Sequence, residues 1–133
     1  MRVEELMTTD VTTVERNDEL SVVDDLMKMK RIRHLPVVEK GRLVGIVTQR
    51  DLFHAGLSNA MGFGEKARKE FLGTVVVKEV MTDEVVTVGP EEAVKSAAKK
   101  MLEHKIGCLP VVREGKLLGI LTETDLVRLL VDS

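Results

Sequence analysis

Cysteine is almost missing. The 133 residues hold one, Cys108, so no disulfide can close within the chain and a secreted disulfide framework is excluded. An excess of basic charge is missing too. Lys and Arg number 20 against 22 Asp and Glu, a formal net charge of −2, whereas duplex nucleic acid is bound largely by neutralising its phosphates. Nucleic acid is therefore not an expected partner. No stretch approaches the roughly 20 apolar residues that cross a bilayer, and no basic start leads into an apolar run as in a secretory signal. With the single thiol, this predicts a cytoplasmic protein with no membrane partner. No nucleophile has a matched base and orienting group, which predicts neither enzyme activity nor a catalytic cofactor. His104 and Cys108 fall short of the usual four ligands of structural zinc, and no metal is expected.

What the chain does have, it has twice. From Met7 it reads MTTDVTTV and, after a gap, IRHLPVVEKGRLVGIVTQRDL. From Met81 it reads MTDEVVTV and, after the same gap, IGCLPVVREGKLLGILTETDL. The offset, 81 − 7 = 74, holds through Pro36/Pro110 to Asp51/Asp125 without an insertion. That period exceeds the roughly 20 to 50 residues of solenoid and propeller repeats. It marks a duplicated domain: residues 1–58 are the first copy, 77–133 the second, and 59–76 a crossover. A unit of about 55 residues buries little surface alone, so the copies are expected to share one core.

Each copy reads as strand, helix, strand, strand, helix, an α+β (α/β) pattern. Val11 to Glu15 is a short β-branched strand; Leu20, Val23, Leu26, Met27 and Lys30 then mark a helix, with Asn17 or Asp18 as its N-cap. Val94, Ala97, Ala98, Met101 and Leu102 repeat that stripe, with Pro90 near the first helical position and Glu91 and Glu92 towards the positive end of the helix dipole. Leu35 to Glu39 and Leu43 to Val47 form a hairpin around Lys40-Gly41; Leu109 to Arg113 and Leu117 to Leu121 form another around Glu114-Gly115. Closing helices start at Gln49 and Glu123, and short helical turns lead in at Val3 to Met7 and Val77 to Met81. In the crossover region, Gly56, Gly62 and Gly64 break the pattern and Glu65 to Leu72 reads as a charged helix with Phe71 and Leu72 as its apolar contacts. The methionines, Met61 among them, read as adaptable core filler, Cys108 as a small buried residue and His54 as a helix-surface residue.

The most chemically suggestive element is Gly45-Ile46-Val47-Thr48-Gln49-Arg50-Asp51, repeated as Gly119 to Asp125. Thr-x-x-Asp reads as a capping box, in which hydroxyl and carboxylate satisfy backbone N–H groups reciprocally. It also reads as a ligand grip, because an Asp at a helix start can accept both hydroxyls of a vicinal diol. Free N–H groups at the same terminus would face a phosphate. The two readings compete only in part.

The order Met-Thr, strand, helix, Leu-Pro-Val-Val, Gly-h-h-Thr-x-x-Asp-Leu (h apolar) resembles the CBS domain, named after cystathionine β-synthase. Two in tandem resemble a Bateman module, covering roughly Val3 to Asp132 with no catalytic or DNA-binding domain attached. The resemblance implies a pseudo-two-fold pair of packed sheets with two clefts that bind AMP, ADP, ATP or S-adenosylmethionine as regulatory signals. It places Thr122 and Asp125 with Val11, Thr12 and Thr13 in one cleft, and Thr48 and Asp51 with Val85, Val86 and Thr87 in the other. Residues around Leu-Pro join them: Arg33, His34 and Pro36 in the Asp125 cleft, Gly107, Cys108 and Pro110 in the Asp51 cleft. The first trio carries the cations that grip phosphate, so the Asp125 cleft is expected to take the phosphorylated nucleotide. The Asp51 cleft is expected to bind more weakly or to favour an uncharged adenosyl tail, with Arg50 softening the contrast. Arg33 also reads as a solvated strand-edge charge. A homodimer formed through the helices, and an effector protein that reads the signal, are the partners the resemblance implies. The other reading is an interaction module whose clefts are vestigial.

Overall fold

The computed structural model describes residues 1–60 and 64–133; Met61 and Gly62 lie outside the described residues. The chain divides into two compact units, and neither coincides with a sequence copy. One gathers residues 12–40 and 44–84; the other gathers residues 1–11, 41–43 and 85–133. They are called here the Asp51 unit and the Asp125 unit.

In the Asp51 unit, β1 (His34–Glu39) and β2 (Arg42–Thr48) each run slightly beyond the apolar stretch that predicts them. Lys40 and Gly41 both take positive φ, 53° and 79°, the twist a two-residue hairpin turn needs. Helix α2 (Leu20–Lys30) buries Leu20, Val23 and Met27 and stops at Arg31, a left-handed residue whose N–H bonds the Met27 carbonyl. Its N-cap is Glu19 rather than Asn17 or Asp18. The Asp18 carboxylate instead accepts the Glu15 N–H at 2.8 Å, at the C-terminal end of the expected first strand. Over Val11 to Glu15 that strand shrinks to a single parallel bridge, Val14 to Val37. Helices α3 (Gln49–Ala60) and α4 (Gly64–Leu72) follow. A 3-10 turn at Val77–Glu79 closes the unit, with Val77 N–H on the Asp18 carbonyl at 2.8 Å and Thr82 paired to Ile46.

The Asp125 unit repeats this plan with its lead-in taken from the other sequence copy. Helix α1 (Val3–Leu6) donates Val3 N–H to the Glu92 carbonyl at 2.8 Å, and Thr8 and Ile120 exchange two backbone bonds of 2.9 Å. Helix α5 (Val94–His104) begins beyond Pro90 and has no acidic residue in its first turn; Glu92 turns back to accept the Gly89 N–H at 2.6 Å. Val94, Ala97 and Met101 are buried as the stripe predicts, but Leu102 is 81% exposed. Strands β3 (Cys108–Arg113) and β4 (Lys116–Thr122) pair antiparallel with a bulge at Val111/Val112, and α6 (Glu123–Asp132) follows. Residues 41–43 belong to this unit because Arg42 pairs with Lys116.

The expectation of one shared core also gives way. Buried apolar side chains fall into two clusters, Val14, Leu20, Val23, Leu35, Val37, Val47, Leu52, Leu72 and Val77 with Met27 in the Asp51 unit, and Val3, Val88, Ala97, Met101, Leu109, Val111 and Leu121 in the other. Each cluster completes itself with the lead-in Val of the other copy, Val77 or Val3. Full burial of such a side chain contributes about 1.5–3 kcal/mol. The Asp51 cluster gains a further wall from α4, through Leu72 and the partly buried Phe71.

Candidate functional site

Both Thr-x-x-Asp boxes are formed. Thr48 N–H donates to Asp51 Oδ2 at 2.8 Å and Asp51 N–H to Thr48 Oγ1 at 3.2 Å. Thr122 N–H donates to Asp125 Oδ2 at 2.9 Å, and Asp125 N–H to Thr122 Oγ1 at 3.3 Å. The cap occupies Oδ2 of each aspartate. It leaves Oδ1 aside, so capping and a grip on hydroxyls are compatible on one carboxylate.

Oδ1 of Asp125 is approached by the Thr8 hydroxyl at 3.5 Å and by Arg128 Nη1 at 4.0 Å. Neither residue is among those expected. Thr8 recurs as Thr82 at the constant offset, which marks a shared position but not the contact; Arg128 lies one turn after Asp125, where the first copy has His54. The glycine of the motif places Thr8 there. A Cβ on Gly119 would lie 2.7 Å from both Met7 Sδ and the Thr8 carbonyl, and one on Gly45 would lie 2.7 Å from Met81 Sδ and 3.0 Å from the Thr82 carbonyl. Only a glycine lets each lead-in arm lie this close to its strand. Asp125 is 6% exposed and Asp51 is half-buried.

The helix starts are less open than expected. Gln49 N–H bonds the Arg33 carbonyl at 2.9 Å and Glu123 N–H the Gly107 carbonyl at 3.0 Å. With Asp51 and Asp125 bonded to their threonines, only the N–H groups of Arg50 and Thr124 in these first turns lack a partner among the described residues.

Those bonds also locate the residues before Leu-Pro. In the Asp51 unit, Arg33 is exposed and its backbone is fastened to the start of α3; His34 is half-buried and Pro36 buried. The Pro36 carbonyl takes the Val14 N–H at 3.1 Å, which brings half-buried Thr12 and Thr13 beside β1. Arg50 is exposed and its Nε donates to His54 Nε2 at 3.4 Å. In the Asp125 unit, Gly107 is fastened to the start of α6, Pro110 accepts the Val88 N–H at 3.1 Å, and Val11, Val85, Val86 and Thr87 are half-buried. The Thr87 carbonyl accepts from Lys100 Nζ at 3.2 Å. Cys108 is 4% exposed; burial, helped by the Asp125 charge, pushes its thiol up to about 12. It is an inert, neutral side chain.

No helix among the described residues is long and apolar enough to cross a membrane. The CBS-domain family matches residues 3–58 and 77–132. A CBS domain-containing protein of Bacillus subtilis, YhcV, is 36% identical over 124 residues, covering 93% of this chain and 81% of that protein. The crystal structure of CBSX2 in complex with AMP superimposes with a TM-score of 0.81 at 31% identity, covering 98% of this chain and 96% of that one. The CBS domain pair of protein MJ0100, in complex with 5′-methylthioadenosine and S-adenosylmethionine, gives a TM-score of 0.79 at 27% identity, covering 99% and 97%. The chain spans only 23% of an inosine-5′-monophosphate dehydrogenase from Korarchaeum cryptofilum and 24% of a homoserine O-acetyltransferase from Methanococcoides burtonii. It matches these enzymes through a CBS pair and not through their catalytic portions. With both copies matched, the boxes formed and the whole pair superimposable on solved CBS pairs, this chain belongs to the CBS-domain family.

Proposed function

We propose that the pair is a regulatory module that binds an adenosine-containing ligand and passes its occupancy to another surface. The observation that carries this reading is the oxygen each box leaves outside the cap: Asp51 and Asp125 cap their helices through Oδ2, and Oδ1, which on Asp125 also faces the Thr8 hydroxyl at 3.5 Å, has lone pairs to offer ribose hydroxyls. The AMP and S-adenosylmethionine complexes of similar pairs support the ligand class. Phosphate recognition falls to Arg33 and His34, because a guanidinium grips phosphate through two parallel hydrogen bonds. Thr122, Asp125, Val11, Thr12 and Thr13 serve that ligand. Thr48, Asp51, Val85, Val86 and Thr87 serve the second, with Arg50 as a lesser cation.

Calorimetry against AMP, ADP, ATP, S-adenosylmethionine and methylthioadenosine tests this directly. Binding of at least one, lost in the Asp51→Asn/Asp125→Asn double variant, is the expected result. Absence of binding to all five refutes it. Arg33→Ala should weaken AMP by about tenfold or more while leaving adenosine nearly unchanged.

The interaction reading has its own observation. Val22 and Met29 on α2, Phe53 on α3, Leu102 on α5 and Val127, Leu130 and Val131 on α6 are exposed large apolar side chains. We assign these helix faces to homodimer formation, which sedimentation of the wild type beside Leu130→Lys checks.

A further inference from the structure

We propose that Glu123 makes the Gly107 end of the second copy turn away phosphate and accept an adenosyl group whose tail is uncharged or cationic, such as a sulfonium. This rests on the adenosyl reading above and names the ligand class at one of its ends. The copies diverge here in three aligned positions. Where the first has Arg33, His34 and Gln49, the second has Gly107, Cys108 and Glu123.

The backbone at this place is the same in both copies, since residue 49 or 123 donates its N–H to the carbonyl of residue 33 or 107. Only the side chains differ. Glu123 folds its carboxylate over Gly107: a Cβ there would lie 2.8 Å from Glu123 Oε1 and 3.2 Å from its carboxyl carbon. Among the described residues that carboxylate has no hydrogen-bond or ion-pair partner. The position that is arginine in the first copy is glycine in the second, and the exposed carboxylate of Glu123 lies over it. Cys108, buried and neutral, adds nothing to offset it. An approaching phosphate dianion meets like charge, while a cationic tail meets its complement.

The test compares wild type with Glu123→Gln by calorimetry, using AMP, adenosine and S-adenosylmethionine at about 50 mM and about 500 mM salt. The substitution keeps shape and the backbone bond to Gly107, and equal melting temperatures verify the fold. Glu123→Gln should tighten AMP relative to adenosine by roughly threefold to tenfold and weaken S-adenosylmethionine by a similar factor. Both changes should shrink at the higher salt, which a purely structural role would not produce. An unchanged AMP-to-adenosine ratio overturns the role of Glu123 while leaving the adenosyl reading intact. A wild type that binds none of the three overturns both.

Discussion

Replacing Arg68 by Met should destabilise the protein by about 2–3 kcal/mol, and the structure shows where that figure comes from. Asp24 on α2 is 4% exposed. Arg68 on α4 reaches it with two parallel contacts, Nη1 to Oδ2 and Nη2 to Oδ1, both 3.3 Å. Removing one partner of a buried pair costs about 3–5 kcal/mol when the other charge is left alone. Asp24 would not be left alone. Lys28 Nζ lies 3.1 Å and Lys69 Nζ 3.8 Å from its Oδ2, so the loss falls at or below the lower end of that range. Met preserves the apolar stem that runs along Gly56, whose would-be Cβ is 3.4 Å from Arg68 Cγ.

The double variant Asp24→Ala/Arg68→Met should recover most of the loss, because removing both members of a buried pair is often close to neutral. The second copy already carries Ala98 at the aligned position. Urea unfolding of the four proteins of the cycle reads out the coupling. Burial pushes the Asp24 carboxyl up, but hydrogen bonds from Arg68 and Lys28 outweigh it and hold the group below the usual carboxylate range. A depressed folded value contributes stability above the unfolded value of about 4 and loses it as pH falls through the folded value. The gap between wild type and Arg68→Met should therefore be full at neutral pH and close below about pH 4. A single-variant loss under about 0.5 kcal/mol, the level of an exposed pair, or a gap that does not narrow in acid, refutes the reasoning.

Gly119→Ala should cost about 1–3 kcal/mol by overpacking and should be worse than Gly45→Ala, since its Cβ meets a backbone carbonyl at 2.7 Å instead of 3.0 Å; thermal unfolding ranks the two. With its thiol pushed up to about 12, Cys108 should resist disulfide reagents at pH 8, where only on the order of one molecule in ten thousand carries a thiolate. Labelling should become rapid once urea unfolds the chain, and fast labelling of the folded protein would contradict its burial.

The hairpins and boxes were legible because their signals are local. Lys40-Gly41 and Glu114-Gly115 carry the positive φ of their turns themselves, and Thr and Asp three apart bond each other without outside help. The helix starts depart from expectation for an equally local reason. Asp18 and Glu92 spend their carboxylates on Glu15 and Gly89 N–H groups, a choice that propensity at the helix start does not reveal. Leu102 followed the apolar spacing and faces outward, because the buried stripe of α5 is narrower than the run of apolar residues. At the site, the shared Thr-x-x-Asp was plain from the repeat. The approach of Thr8 to Asp125 was not, since it joins residues 117 apart. A repeat declares which segments are equivalent and is silent on which copy's arm lies on which copy's strand.

That exchange of arms bears on how the chain comes to be folded during synthesis. The Asp51 unit draws only on residues 12–40 and 44–84 and has its parts in hand before residues 85–133 are made. Residues 1–11 are made before the Asp51 unit, yet Val3 bonds Glu92 and Thr8 bonds Ile120. That arm finds its place only after the strand that carries Gly119 has been made. A fragment of residues 77–133 would lack the arm that covers Gly119, and one of residues 1–58 would carry an arm with no strand to lie on.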